Sequence, residues 1–328
     1  MPGHRADALP AGNPPDTAPH ATRDPRPEHG RPLETEYRPR APIDAARAIR
    51  AQQRGAHDPA QQEHEGVIWR ATRTPDGVAT LAIRVERHRI RGAAWGPGAG
   101  WALDQLPALC GADDDPTGFD PTHHPVVDAA HRRHPDLRIG RTDLLFDALV
   151  SAIFEQKVTG LQAFGAWRMI LTWCGERAVG PTPRPMFAPP ADWAAIPSWT
   201  WHRAGLEPPQ SRTIVAAAGR RRSIERAASP ASADRVLTSL PGVGAWTSAE
   251  TRIRAFGDAD AVSVADYHLA HQVGFALTGR RVDDDDGMLA LLEPWRGHRQ
   301  RAIQLIGLSG VVEPRRGPRL APEDHRAR

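Results

Sequence analysis

The chain has 328 residues, room for two domains, and carries 42 Lys and Arg against 39 Asp and Glu, a formal charge of +3. That mildly basic balance is compatible with a nucleic-acid partner without requiring one, while two cysteines, Cys110 and Cys174, exclude both a disulfide scaffold and a four-cysteine iron–sulfur cluster. No apolar run has the length of a membrane span and Met1–Arg5 lacks the apolar core of a secretory signal, so a cytoplasmic protein with no membrane partner is expected.

Residues 1–62 are rich in Pro, Arg, Asp, His and Gln and poor in aromatics. A segment of that composition buries too little apolar surface to offset chain entropy, and disorder is expected, with one short helix somewhere in 43–53. From Gly66 the texture changes. Val67–Ala71 and Val78–Val85 read as strands joined by a Pro75-Asp76-Gly77 turn, Arg89–Trp95 as a third strand and Trp101–Leu109 as a helix. Residues 63–136 are thus read as a small α/β domain with a linker. His123, His124, His131 and His134 in 120–136 fit no compact zinc spacing, and an exposed polar linker is expected there.

A helical domain is expected over 137–312, followed by a tail at 313–328. Leu144, Leu145, Ala148, Leu149, Ala152 and Ile153 recur at helical spacing and form one core-facing stripe. A turn through Gln156-Lys157 leads to a second helix over 161–174, and Pro181–Pro190 is a proline-rich connection. Trp193, Trp199 and Trp201 read as core packing in short helical pieces. Residues 211–226 form a basic amphipathic helix ending in Arg220-Arg221-Arg222, a run that suits either a DNA backbone or a solvated face. Met288–Leu292 and His298–Leu308 complete the helices.

The most informative stretch is Leu240-Pro241-Gly242-Val243-Gly244, set between Asp234–Leu237, the end of one helix, and Trp246–Phe256, the start of another. Pro241 stops the first helix, and the glycines allow a tight turn and close approach of another molecule. The second helix begins with unpaired N–H groups and the positive end of its dipole, an arrangement that takes a phosphate. Twenty residues beyond Trp246 stands Asp266, in Val262-Ser263-Val264-Ala265-Asp266-Tyr267.

These residues resemble the helix-hairpin-helix DNA glycosylases, whose signature is this hairpin followed about twenty residues later by an essential aspartate. Within that superfamily the chain is most similar to the alkylpurine branch, the 3-methyladenine glycosylase II type. The similarity lies in Gly244-Ala245-Trp246-Thr247 after the hairpin and in the Asp266-Tyr267 pair, and it extends well over 137–310 and in outline over 66–136. It implies a mainly α fold, a small α/β domain ahead of the hairpin domain, and damaged duplex DNA as the partner of a monomer. It also implies that Leu240, Gly242, Val243, Gly244, Ala245 and Thr247 grip the DNA backbone, with a monovalent cation on the carbonyls of Leu240 and Val243 and no other cofactor. The loop at Gln156 and Lys157 would fill the gap left by an extruded base; Lys157 is the only lysine in the chain, and an exposed helix-end cation is the plainer reading.

The chemistry follows from base release. Loss of a base leaves positive charge on the sugar, and a fixed carboxylate beside C1′ stabilises it best in a dry site. Asp266 is the candidate, although an Asp ahead of Leu269-Ala270 is equally what a helix N-terminus asks for. Superfamily members that also cut the strand carry a lysine two residues after the last hairpin glycine; this chain has Trp246, so hydrolysis without lyase chemistry is implied. The base pocket is assigned to Trp246, Phe154, Glu250 and Tyr267. Trp246 suits stacking on a cationic alkylated purine but equally a core position. Glu250 stands where the branch has a tyrosine, and Gln304 where it has a tryptophan nine residues after Pro294-Trp295. Glu250 is read either as attracting the cationic base or as a solvent-facing helix residue. The reading is a monofunctional glycosylase for alkylated purines; its rivals are a glycosylase for a deaminated or oxidised base and a module that only holds DNA backbone.

Overall fold

The computed structural model describes residues 30–313; the expectations for residues 1–29 and for the tail beyond 313 lie outside them. The described chain contains fourteen α-helices, two short 3-10 turns, a five-stranded antiparallel sheet and a two-stranded one formed by Glu176–Arg177 and Phe187–Ala188. Strands β1 (Leu33–Tyr37), β2 (Gln61–His64), β3 (Val67–Thr74), β4 (Gly77–Glu86) and β5 (Arg89–Trp95) are ordered β1-β5-β4-β3-β2. Glu65 and Gly66, both at positive φ, make the tight β2–β3 turn that matches strand twist. Ile68, Leu81, Ile83 and Ile90 point to one face, where they pack on Ile49 of α1 (Ala45–Arg50), Leu103 of α2 (Ala99–Asp104), and Leu106 and Leu109 of α3 (Leu106–Leu109).

Two expectations are corrected here. Disorder over 1–62 does not hold from Leu33 onward: β1 pairs in register with β5 from Leu33 opposite Ala94 to Tyr37 opposite Ile90, and Asp44 caps α1 by accepting from the Arg47 N–H. The polar composition of β1 is that of an edge strand, whose ladder bonds stand in for an apolar run. Nor is 120–136 an exposed linker. His124 caps α4 (Pro125–Arg133) through its ring nitrogen, and Val127 and Ala130 are buried against Leu305 and Ile306 of α14 (Arg299–Ser309).

The helical part has two cores. The larger surrounds α5 (Leu145–Phe154), whose residues are nearly all buried, and takes in α6 (Gly160–Cys174), α7 (Ser198–Ala204), α8 (Pro208–Ala218), α9 (Arg221–Ile224), α10 (Pro230–Thr238) and α11 (Ala245–Phe256). Trp193 and Trp201 stack in it at 6.1 Å, as expected, but Trp199 is 64% exposed. Two residues apart on a helix point to nearly opposite faces, so α7 can bury only one of the pair Trp199 and Trp201. The smaller core joins α4, α12 (Leu269–Thr278), α13 (Asp285–Leu292) and α14. Asp114, from the loop after α3, forms two hydrogen bonds of 2.8 and 2.7 Å with Arg301 of α14, both side chains 2% exposed. That buried pair ties the sheet unit to the smaller core. No described helix is long and apolar enough to cross a membrane.

Candidate functional site

The hairpin lies between α10 and α11, on the larger core. Leu240 and Val243 are buried and anchor the turn from inside, and the Val243 N–H donates to the Leu240 carbonyl at 3.1 Å. Of the two glycines only Gly242 needs positive φ (83°); a Cβ there would lie 2.3 Å from Thr213 Oγ1 on α8. Gly244 is extended and serves as the N-cap of α11 with no side chain to cap it. The first bond inside α11 runs from the Ser248 N–H to the Gly244 carbonyl, so the N–H groups of Ala245, Trp246 and Thr247 precede the helical ladder. The uncommitted N–H groups expected at the start of this helix are therefore present in the backbone.

The second element arrives from the C-terminal end of α5. Gln156 Nε2 donates to the Gly242 carbonyl at 2.9 Å and to Thr247 Oγ1 at 2.8 Å, which lashes the α5–α6 loop to the hairpin. Gln210 of α8 secures that loop from below, its Nε2 within 3.2 Å of the carbonyls of Ile153, Phe154 and Gln156. With its amide spent on the hairpin, Gln156 is a tether more than a gap-filler. Lys157 is exposed, held at φ 54°, and stands beside that tether.

Asp266 comes to the same place from the far side. Its Oδ1 accepts from the N–H groups of His268 (2.8 Å) and Leu269 (2.9 Å) at the start of α12, while Oδ2 accepts from Trp246 Nε1 at 3.1 Å. Asp266 thus ties down the N–H groups of His268, the N-cap residue, and of Leu269 at the start of α12, and it also meets the first turn of the hairpin helix. Capping fixes the direction in which the carboxylate points. Trp246 is half-buried; its indole N–H is committed to Asp266. Tyr267 is 71% exposed, its ring edge-on to His268 at 4.8 Å, and so forms a rim beside the carboxylate.

Two pocket assignments are not met. Phe154 is 2% exposed and packs edge-on against Trp167 at 5.4 Å and against Trp193 at 6.1 Å, a core residue because α5 is covered on every side. Glu250 is neither solvent-facing nor free for a base. Its Oε1 accepts from the Ser263 hydroxyl at 2.5 Å and its Oε2 pairs with Arg254 one turn on. Burial pushes the Glu250 carboxyl up, but Arg254 and Ser263 outweigh it and hold it below the usual range. Arg254 in turn lies 3.7 Å from Glu155, which lies 3.4 Å from Arg54, so four alternating charges run from the sheet side to α11. In the basic run, the Arg221 guanidinium stacks on Phe146 at 4.8 Å and turns inward, leaving Arg220 and Arg222 exposed. Gln210 and Ser263 went unnoticed in the sequence, where nothing distinguishes them from any helix-start glutamine or loop serine.

No family model matches the chain, and no curated protein matches it. Solved structures do. The 3-methyladenine DNA glycosylase from Archaeoglobus fulgidus aligns with TM-score 0.69 over 83% of this chain and 96% of that one, at 14% identity. MBOgg1 in complex with a low-affinity DNA ligand aligns with TM-score 0.62 over 84% and 95%, at 16% identity. The apo 8-oxoguanine glycosylase/lyase of Clostridium acetobutylicum aligns with TM-score 0.61 over 77% and 90%, at 11% identity. The chain has the fold of the helix-hairpin-helix DNA glycosylases.

Proposed function

We propose that the protein is a monofunctional DNA glycosylase that extrudes an alkylated purine of the 3-methyladenine or 7-methylguanine type from duplex DNA and hydrolyses its bond to the sugar. The observation that carries this reading is the hydrogen bond from Trp246 Nε1 to Asp266, which sets the carboxylate against the first turn of the phosphate-gripping helix. The N–H groups of Gly242 and of Gly244 to Thr247 hold a backbone phosphate, a sequence-blind contact that weakens with salt. The base is turned out of the stack, more cheaply when damage has weakened its pairing. The C1′–N bond then breaks with its electron pair passing to the cationic purine, which leaves neutral. Asp266 stabilises the charge left on the sugar; water adds to C1′ and its proton passes to Asp266 and on to solvent. Trp246 and Tyr267 offer the ring faces on which an electron-poor base stacks. Lys157 enters the vacated space. A monovalent cation belongs on the hairpin carbonyls of Leu240 and Val243: Leu240 spends one lone pair on the Val243 N–H and keeps another.

No lyase step is proposed, because an indole stands at position 246 where an amine would be needed. The test is incubation with methylated duplex DNA at two salt concentrations. Release of 3-methyladenine or 7-methylguanine with strands that stay intact until alkali is added is expected; strand cleavage without alkali, or no release, contradicts it. A second reading, an oxidised purine as substrate, is favoured by the likeness in fold to the 8-oxoguanine glycosylase/lyase of Clostridium acetobutylicum. A duplex containing 8-oxoguanine in the same assay separates the two.

A further inference from the structure

The segment that carries Asp266 is strained. Ala265 has φ 62°, a left-handed conformation that a residue with a Cβ enters at a cost, and one residue earlier the Val264 N–H closes a tight turn onto the Val262 carbonyl at 2.9 Å. Such a conformation persists only where its surroundings impose it. Two carboxylates supply that imposition from opposite elements. Glu250 of α11 accepts from the hydroxyl of buried Ser263 at 2.5 Å, and Asp285, in the first turn of α13, accepts from the Ala265 N–H at 2.8 Å. Asp284 already caps α13 by accepting from the Gly287 N–H, so the helix does not need Asp285 for its own start.

We propose that Asp285, together with the Glu250–Ser263 pair, is a positioning device for base release: it clamps the left-handed Ala265 so that the Asp266 carboxylate stays on the Trp246 indole. The inference rests on the role proposed for Asp266 and adds to it residues that touch neither base nor sugar. Asp285 acts as an acceptor, so a side chain that keeps an acceptor oxygen should serve in its place. Loss of the clamp should free the turn, and a carboxylate displaced by about an ångström from a reacting centre costs roughly ten- to a hundred-fold in rate.

The test uses the full chain with Asp285→Ala, Asp285→Asn and Asp266→Asn, single-turnover base release from methylated duplex, and affinity for a duplex bearing a stable abasic-site analogue. Asp285→Ala should slow release at least ten-fold while affinity and melting temperature stay near wild type, and Asp285→Asn should release at nearly the wild-type rate. An activity-independent readout is the Trp246 indole N–H resonance in a 15N-tryptophan-labelled protein, which should shift in Asp285→Ala and stay in place in Asp285→Asn. Release by Asp285→Ala at the wild-type rate with Asp266→Asn inactive overturns the clamp and leaves Asp266 in its role. So does equal loss in the Ala and Asn variants. Full activity in Asp266→Asn removes the reading on which the clamp rests.

Discussion

Gly242 shows at a single residue how the hairpin is built. Its positive φ and the 2.3 Å that would separate a Cβ from Thr213 Oγ1 are independent reasons for a bare backbone. Gly242→Ala should therefore cost about 2–3 kcal/mol, one part conformational and one part steric, read as a lowered denaturation midpoint. An unchanged midpoint would mean that the turn adopts another conformation. A buried acid offers a pH-dependent case. Neither carboxylate oxygen of Asp147 on α5 has a hydrogen-bond partner among the described residues, and burial pushes its pKa up to about 6 against the pull of Arg221. A folded pKa above the unfolded one means that the native state holds the proton more tightly. This group's contribution is then most favourable below about pH 4, and it is lost as pH rises toward 6. Asp147→Asn should raise stability by roughly 3 kcal/mol at pH 8 and by little at pH 4, since a shift of one unit is about 1.4 kcal/mol and this carboxyl moves by about two. Equal midpoints for both proteins at pH 8 would contradict it. Gly242 and Asp266 were legible in the sequence because their chemistry is local: a turn and a cap. Glu250 was not, since nothing near position 250 announces that Ser263, thirteen residues on, will claim its carboxylate.

At the scale of elements, the site is three chain ends held together by side-chain amides and carboxylates. The start of α11, the end of α5 and the start of α12 meet through Gln156 and Asp266, and Gln210 secures the α5 end by donating to three carbonyls. Removing the Gln156 tether should leave the helices intact, because each is packed by its own apolar face. Gln156→Ala should weaken duplex affinity by about ten-fold, the equivalent of one lost hydrogen bond, and move the melting temperature little. A large fall in melting temperature with unchanged affinity would make Gln156 a structural residue. Most elements were readable from periodicity and punctuation: α5 from its stripe, α6 from the turn before it, the strands from alternation around Pro75-Asp76-Gly77. The pieces that escaped, β1 and α4, are short and polar, and they are held by ladder pairing and by contacts with Leu305 and Ile306, far away in sequence. Phe154 escaped for the opposite reason, since a stripe reading leaves one face of α5 open where the fold covers it all round.

For the whole molecule, the sheet unit and the helical cores are joined by buried charge and by a small apolar cluster in which Ala71 and Val78 of the sheet meet Met186 and Ala188. Arg301 with Asp114 closes one side, and the Arg54–Glu155–Arg254–Glu250 alternation closes the other. Burial lowers Arg54 to about 10, with Arg254 acting in the same direction, and this guanidinium stays charged at neutral pH. The far end of the alternation is Ser263, three residues from Asp266, so the same contacts that join the units also support the segment that carries Asp266. The hairpin and the aspartate lie between the larger and smaller cores, which is how Trp246 and Asp266, twenty apart in sequence, come to meet. That meeting is the central claim, and Asp266→Asn tests it most directly, because asparagine keeps one oxygen for the N–H groups at the start of α12 while removing both the charge and the oxygen that accepts from Trp246 Nε1. Duplex affinity should stay within about two-fold of wild type while single-turnover release of methylated purine falls by about a hundred-fold or more, the scale of losing one preorganised electrostatic group. Release at the wild-type rate, or loss of binding in step with loss of release, would contradict the account.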